Sequence, residues 1–186
     1  MIEVVAHDPA WAVRFEALRR EYSAALEQYG VGVEAIEHVG STSVPGLAAK
    51  PIIDCDIVVS AAQVSPAAEV LIRLGFRPLG ELGIPQRWAF KEPPRLAGTA
   101  TYVIVSGSLA LKNHLGLRNT LRANTQLRDR YGAVKKRVGA TAGSPEEYGQ
   151  GKTAVIQEIL AAAGLSDHER GVIAAAKVPS SAEVPR

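Results

Sequence analysis

Two hydrophobic rhythms alternate along this chain. Across residues 10–28 apolar side chains recur at Trp11, Phe15, Leu18, Tyr22 and Leu26, steps of three and four that predict one stripe on a helix. Asp8-Pro9 supplies its start, a capping acid followed by a proline preset for the first turn, and Gly30 and Gly32 end it. Shorter, β-branched runs predict strands over residues 2–5, 33–39 and 52–59, the last opened by Pro51. Ser65-Pro66 repeats the cap-and-proline start for a helix over 67–74, stopped by Gly75. Residues 76–79, 86–91 and 99–106 read as three further strands, with Pro93, Pro94 and Gly98 making the turn before the last. Beyond them the pattern is helical. Ser108 caps a helix to 115 or 122, another covers 126–138, and Ser144-Pro145-Glu146-Glu147 begins one that runs to 163. A short helix over 167–177 precedes a Pro/Ser-rich stretch, 178–186, read as disordered. One helix followed by strand, turn and strand predicts an α/β (α+β) fold with a mixed sheet, not a doubly wound one.

Composition changes this picture little. With 186 residues, one domain over 1–164 and a C-terminal extension over 165–186 are expected. A hydrophobic content of 47% with 22% charged residues is that of a water-soluble globular chain. The net charge of +2 is too small to argue for nucleic acid or a membrane surface. Cys55 is the only cysteine, which excludes an internal disulfide and a cysteine-rich zinc site. No basic-then-apolar leader opens the chain and no apolar run is long enough to cross a bilayer, so the expected location is cytoplasmic.

Candidate chemistry gathers between His38 and Val59. In a strand over 52–59, alternation puts Asp54 and Asp56 on one side and Ile53, Cys55, Ile57 and Val59 on the other. Two acids sharing a face of an apolar strand repel one another and resist burial unless a cation or a proton lies between them. Mg²⁺ is a cation that takes such oxygen ligands, and salt bridges to nearby Lys or Arg are the plainer alternative. Gly40-Ser41 and Gly46 lie in the loop before that strand, where backbone N–H groups can face an anion with Lys50 nearby. His38, at a strand end, suits structural hydrogen bonding as well as it suits catalysis. From Lys112 to Arg137 eight Lys or Arg stand against one acid, Asp129. Within that run Arg118 and Arg122 share a helical face, with His114 one turn ahead. A phosphate-binding surface and a solvated helical face both explain such a run. No aromatic platform is interleaved with it, so nucleic acid is the weaker partner candidate.

The segment HVGSTSVPGLAAKPIID resembles the hallmark of the GrpB family, a group placed with the polymerase-β-like nucleotidyltransferases. His7-Asp8-Pro9 with Trp11 and Phe15, Asn113-His114-Leu115 with Arg118 and Arg122, and Tyr148 with Lys152 extend the likeness over residues 2–163. The resemblance implies a mixed sheet of nucleotidyltransferase type with flanking and C-terminal helices. It also implies binding of a nucleoside triphosphate, or another phosphorylated small molecule, with Mg²⁺ or Mn²⁺, and transfer of a nucleotidyl group to an acceptor. On that template Asp54 and Asp56 are the catalytic and metal-ligating pair. Gly40, Ser41 and Ser43 (or Thr42) hold phosphate, Lys50, Arg87, Arg118 and Arg122 neutralise it, and His38, Tyr102 and His114 are accessory. The chain departs from the pattern at 99–106, where active members carry a third carboxylate and GrpB members a His-x-His. This stretch has neither, only Thr101 and Tyr102 in the matching region. The alternative is therefore a non-catalytic nucleotide- or phosphate-cofactor-binding, regulatory domain.

Overall fold

The computed structural model describes residues 2–175; the expected disordered tail and the last two positions of the expected 167–177 helix lie outside the described residues. Five strands, β1 (Val33–Val39), β2 (Ile53–Val59), β3 (Arg77–Gly80), β4 (Arg87–Lys91) and β5 (Thr99–Val105), form one sheet in the order β1-β2-β5-β4-β3. β2 and β5 are parallel and the other neighbours antiparallel, which is the expected mixed α/β sheet. A parallel pair cannot be joined by a tight turn. Here the crossover is made by α2 (Val64–Arg73) and the β3–β4 hairpin, which carry the chain back to lay β5 beside β2.

The two sheet faces are treated differently. Ile53, Cys55, Ile57 and Val59 of β2 face a core built with α1 (Ala10–Gln28) and α2. The predicted stripe of α1, Trp11, Phe15, Leu18, Tyr22 and Leu26, is buried there, with Ala67, Val70 and Leu71 of α2 beside it. A polar contact inside it is paired: the Tyr22 hydroxyl and Thr101 Oγ1 are 2.9 Å apart. On the other face Val58 and Ile104 pack under Ala110 and Leu111 of α3 (Leu109–Ala123). α3, α4 (Thr125–Thr141) and α6 (Thr153–Ala162) close a third cluster that includes Val44, Leu47, Leu121, Tyr131, Val155 and Ile159.

Two expectations are corrected. The strand over residues 2–5 is reduced to one bridge, Val5 with Ala49, because Ile2 donates its N–H to the Gly139 carbonyl of α4 at 2.9 Å. The segment straps α4 to the loop before β2 and does not extend the sheet. The helix expected from 145 to 163 is two helices, α5 (Pro145–Gln150) and α6, separated at Gly151-Lys152. A Cβ on Gly151 would stand 2.6 Å from Val138 Cγ1, so the backbone rests directly on α4 at the break. α7 (Asp167–Ala175) ends the described chain, and among the described residues no helix is long and apolar enough to cross a membrane.

The core face of β2 dominates stability. Ile57→Ala, at a fully buried position, should cost about 2–5 kcal/mol in urea unfolding, against less than about 0.5 kcal/mol for Val13→Ala on exposed helix surface.

Candidate active site

β1 enters a loop, residues 40–52, that returns as β2. Gly40 turns the corner at φ 68°, and a Cβ there would lie 2.1 Å from Asp54 Oδ2. Only glycine combines the left-handed backbone with that approach to a carboxylate. A 3₁₀ turn, Ser41–Ser43, follows. Inside the loop Ser43 Oγ donates to the Gly40 carbonyl at 2.6 Å and Thr42 Oγ1 to the Ile52 carbonyl at 2.9 Å.

Helices α3 and α4 hold this loop from outside. Arg122 Nε and Nη2 donate to the Ser43 carbonyl at 3.0 and 2.8 Å, Arg128 to Pro45, and Lys135 Nζ to Ala48 at 2.6 Å. Arg118 donates to the Glu37 carboxylate and, at 3.0 Å, to the His38 carbonyl. The basic run is thus in large part a set of clamps on loop carbonyls and on β1. Arg118 and Arg122 spend their donors on the protein itself, and neither lines the cleft at Asp54. Ser43 is likewise buried and internally paired.

Asp54 and Asp56 share the sheet face opposite the core, as alternation requires, and meet Val39 and Glu37 across β1. On the other side the parallel register sets Ala100 beside Asp54 and Tyr102 beside Asp56. Where a third carboxylate is expected, β5 presents a methyl group and a phenol. The group that does reach the pair comes from α3. His114 Nδ1 lies 2.7 Å from Asp56 Oδ2, with the Tyr102 ring edge-on to the imidazole at 5.8 Å between centroids. Asp56 is fully buried and its Oδ1 has no partner. An ionised Asp56 only accepts, so Nδ1 carries the proton and Nε2 is left as the second ring nitrogen. Val39, Gly40, Asp54, Tyr102, Asn113, His114 and Leu117 line a cleft of about 120 Å³.

The Asp54 carboxyl is pushed up to about 6, first by burial, against the pull of the His114 charge, with Asp56 raising it further and Lys50 and Lys135 opposing. Asp54 and the free oxygen of Asp56 are the donors available to a hard cation. Among the described residues no cluster of three or more His, Cys, Asp or Glu is arranged around a metal position. Two carboxylates alone suit Mg²⁺, which keeps waters and takes substrate oxygens for the rest of its shell.

Three lysines converge beside this pair. Lys50 and Lys152 both approach the Tyr148 ring, at 5.5 and 3.9 Å from its centroid, and Lys135 lies 5.2 Å from that of Tyr131. Burial holds Lys135 down to about 7, with Lys152 and Lys50 lowering it and Asp54 raising it. Lys152 is held down to about 8 by burial and then by Lys50. Among the described residues none of the three has a carboxylate within ion-pairing distance. Ser41 acts on the Tyr131 phenol as a polar neighbour, which puts the serine of the Gly40-Ser41 turn at the edge of the cluster.

Of the sequence-predicted residues, Gly40, Ser41, Lys50, Asp54, Asp56, Tyr102 and His114 come together. Arg87 lies apart from the cleft at Asp54, its guanidinium 4.7 Å above the Tyr102 ring. His38 faces the other way, stacked on Phe15 at 4.6 Å. Its pKa is lowered to about 4 by burial and then by Arg122 and Arg118. Thr42 gives its proton to Ile52, so a neutral His38 donates from Nε2 to Thr42, a packing role. Sequence reasoning missed Lys135 and Tyr131 and gave Lys152 no role. The available signal was spacing: Tyr131 and Lys135 stand four apart within α4, where a helix brings an ammonium towards a ring, and Tyr148 and Lys152 share that spacing across the break between α5 and α6.

A mixed sheet with a glycine-serine turn, two same-face aspartates on the next strand and helices covering that face defines a nucleotidyltransferase-fold protein. Solved structures agree at the level of fold. The Cid1 poly(U) polymerase with MgGTP bound superposes with a TM-score of 0.51 at 18% identity, over 80% of this chain and 50% of that one. The chain belongs to the GrpB protein family, whose sequence model matches residues 1–162. The conserved protein GrpB from Enterococcus faecalis is similar with a TM-score of 0.75 and 31% identity over 87% of this chain and 96% of that one. The UPF0157 protein YqkA of Bacillus subtilis is 33% identical over 153 residues, 81% of this chain; the match spans 44% of the length of YqkA.

The raised Asp54 pKa has a direct consequence. Its protonated form is favoured in the folded state, so that contribution is whole below the unfolded value near 3.9 and is lost as pH rises through about 6. In metal-free buffer Asp54→Asn should gain stability relative to the parent between pH 4 and pH 7.5; urea midpoints at both pH values measure it. An unchanged difference would mean the carboxylate is not destabilised by burial.

Proposed function

We propose that this protein binds a nucleoside triphosphate with Mg²⁺ or Mn²⁺ and transfers its nucleotidyl group to the hydroxyl of an acceptor. The observation that carries this reading is the convergence of Lys50, Lys135 and Lys152, without carboxylate partners among the described residues, on Ser41 and Asp54. Like charges drawn together and partly buried raise one another's cost, and a polyanion between them reverses its sign. A triphosphate is such an anion, and the turn at Gly40-Ser41 offers it backbone N–H groups. The shared fold with Cid1, solved with MgGTP, supports the same reading.

During transfer the acceptor oxygen bonds to the α-phosphorus while the bond from that phosphorus to the bridging oxygen breaks, and pyrophosphate leaves. His114 Nε2 takes the acceptor proton, with Asp56 holding the imidazole by Nδ1–H in the tautomer that leaves Nε2 free. This arrangement does the work of the missing third acid. The lysines hold the charge that gathers on pyrophosphate. Asp54 and Asp56 would hold a divalent ion, which when bound would supply charge neutralisation at the phosphate oxygens. The rival reading, binding without transfer, is favoured by one observation, the placement of Ala100 and Tyr102 opposite the two aspartates.

Thermal unfolding against each of the four nucleoside triphosphates, with and without Mg²⁺, tests the proposal. A ligand at about a hundred times its dissociation constant should stabilise the parent by roughly 2.7 kcal/mol, and Lys152→Met should lose most of that shift. Binding should tighten from pH 9 to pH 7, because Lys152 and Lys135 gain their protons around 8 and 7 and only the charged forms attract phosphate. Absence of a shift with every triphosphate would sink the reading. A shift without pyrophosphate release across a panel of hydroxyl acceptors would select the rival.

A further inference from the structure

A second, larger cleft adjoins the first on the same sheet face. It measures about 370 Å³ and is lined by Leu79, Leu82, Ile84, Ala89 and Tyr102 together with Arg87. Tyr102 is common to both clefts. Ala100, which sits beside Asp54 in the β2–β5 register, also lines the larger one, so its short side chain leaves the way open between them. The lysine cluster lies beyond the start of β2, whereas this cleft extends over β5, β4 and β3, on the side of the aspartates away from β1. Its volume is that of a small-molecule pocket.

Arg87 is the chemical handle in this apolar space. Its guanidinium lies 4.7 Å above the Tyr102 ring, and its Nε is buried without a hydrogen-bond partner. Among the described residues no carboxylate pairs with it; the charged neighbours at the rim, Lys91 and Glu92, pair with each other at 3.1 Å. A buried donor left unmade is costly, and an anionic acceptor removes that cost with a charge-assisted bond. The wall carrying Leu82 and Ile84 is itself held under strain. Leu82 and Gln86 take left-handed backbone at φ 51° and 63°, and Gln86 N–H is fixed by Glu81 Oε1 at 2.6 Å. Non-glycine residues persist in that region where surrounding structure imposes it, and such strain concentrates at ligand sites.

We propose that this cleft is the acceptor subsite, and that it takes a small molecule with an apolar or aromatic body and a carboxylate or phosphate monoester bound by Arg87, its hydroxyl directed past Ala100 to Asp54 and His114. The assignment of the hydroxyl rests on the transfer reading above. The anion and the apolar body rest on the cleft alone. A nucleic-acid strand is disfavoured because Lys91 is paired with Glu92 and Arg87 alone of the lining cations has no acidic partner among the described residues, whereas strand binding uses a row of cations along the backbone.

The test is amide chemical-shift mapping on the ¹⁵N-labelled full chain, without nucleotide or metal. The probes are 4-hydroxyphenylacetate, 4-hydroxyphenyl phosphate, the uncharged 4-hydroxyphenylacetamide and a short oligoribonucleotide. The expected result is perturbation of the Leu82, Ile84, Ala89 and Ala100 amides by an anionic probe. Binding should be about tenfold weaker in Arg87→Met, as for a lost charge-assisted bond, and recovered in part in Arg87→Lys. Ala100→Leu, which fills the passage, should block the probes. Whichever anion binds tighter separates carboxylate from phosphate. Equal binding of the acetamide, indifference to Arg87→Met, a preference for the oligoribonucleotide, or silence of these amides with every probe each overturns the proposal. Anion binding that depends on Arg87 in a protein that ignores triphosphates would keep the subsite and remove the transfer reading.

Discussion

Two carboxylates on one face of an apolar strand set the terms for everything around them. β2 must run through the middle of the molecule, because its other face carries Ile53, Cys55, Ile57 and Val59 into the main core. Asp54 and Asp56 are carried inward with it. Burial disfavours the charge of Asp54, and the neighbouring Asp56 adds to that. The structure answers from three directions: His114 on α3 pairs with Asp56, Gly40 keeps the turn against Asp54 free of any side chain, and lysines from the loop and from α4 bring positive charge to Asp54. One oxygen of Asp56 is still left unmatched. That unmatched oxygen lies beside three lysines that have no carboxylate partner among the described residues, and the proposed cation and polyanion would answer both.

The basic run of α3 and α4 has a divided role. Arg122, Arg128 and Lys135 each donate to a carbonyl of the loop between β1 and β2, so cations that lower the cost of buried acids also set the shape of the turn. A loop of this length would otherwise cost considerable backbone entropy to order. Lys135 belongs to both roles, clamping Ala48 while contributing to the field at Asp54. Loop order and the field at Asp54 are therefore coupled through the same side chain.

The sheet divides these duties by face. The side under α1 and α2 is closed by large apolar residues, with a neutral His38 stacked among them. The opposite side is covered by α3 only over β1, β2 and part of β5, where Val58 and Ile104 meet Ala110 and Leu111. Towards β4 and β3 it stays open, and the larger cleft lies over this uncovered half and meets the smaller one, under α3 at the start of β2, at Tyr102. A scaffold closed on one side and half closed on the other sets the open clefts over the backbone of a closed core.

Period and punctuation determined much of the architecture. The α1 stripe, the split of β2 into an acidic and an apolar face, and the mixed sheet all follow from spacings of two, three and four, which act over neighbouring residues. The turn at Gly40-Ser41 and the paired aspartates were legible for the same reason. What only the tertiary structure decided are contacts between segments far apart in sequence. His38 and His114 look equivalent as lone histidines, yet the register of β1 turns one onto Phe15 and the packing of α3 brings the other to Asp56. Arg118 and Arg122 read as free cations until their helix is laid along the loop, where carbonyls of β1 and the turn take their donors. Lys135 and Lys152 become a cluster with Lys50 because Gly151 breaks a helix against Val138 and sets Lys152 over Tyr148. Local sequence controls which way a side chain points from its own element, and only the packing of elements decides what it points at.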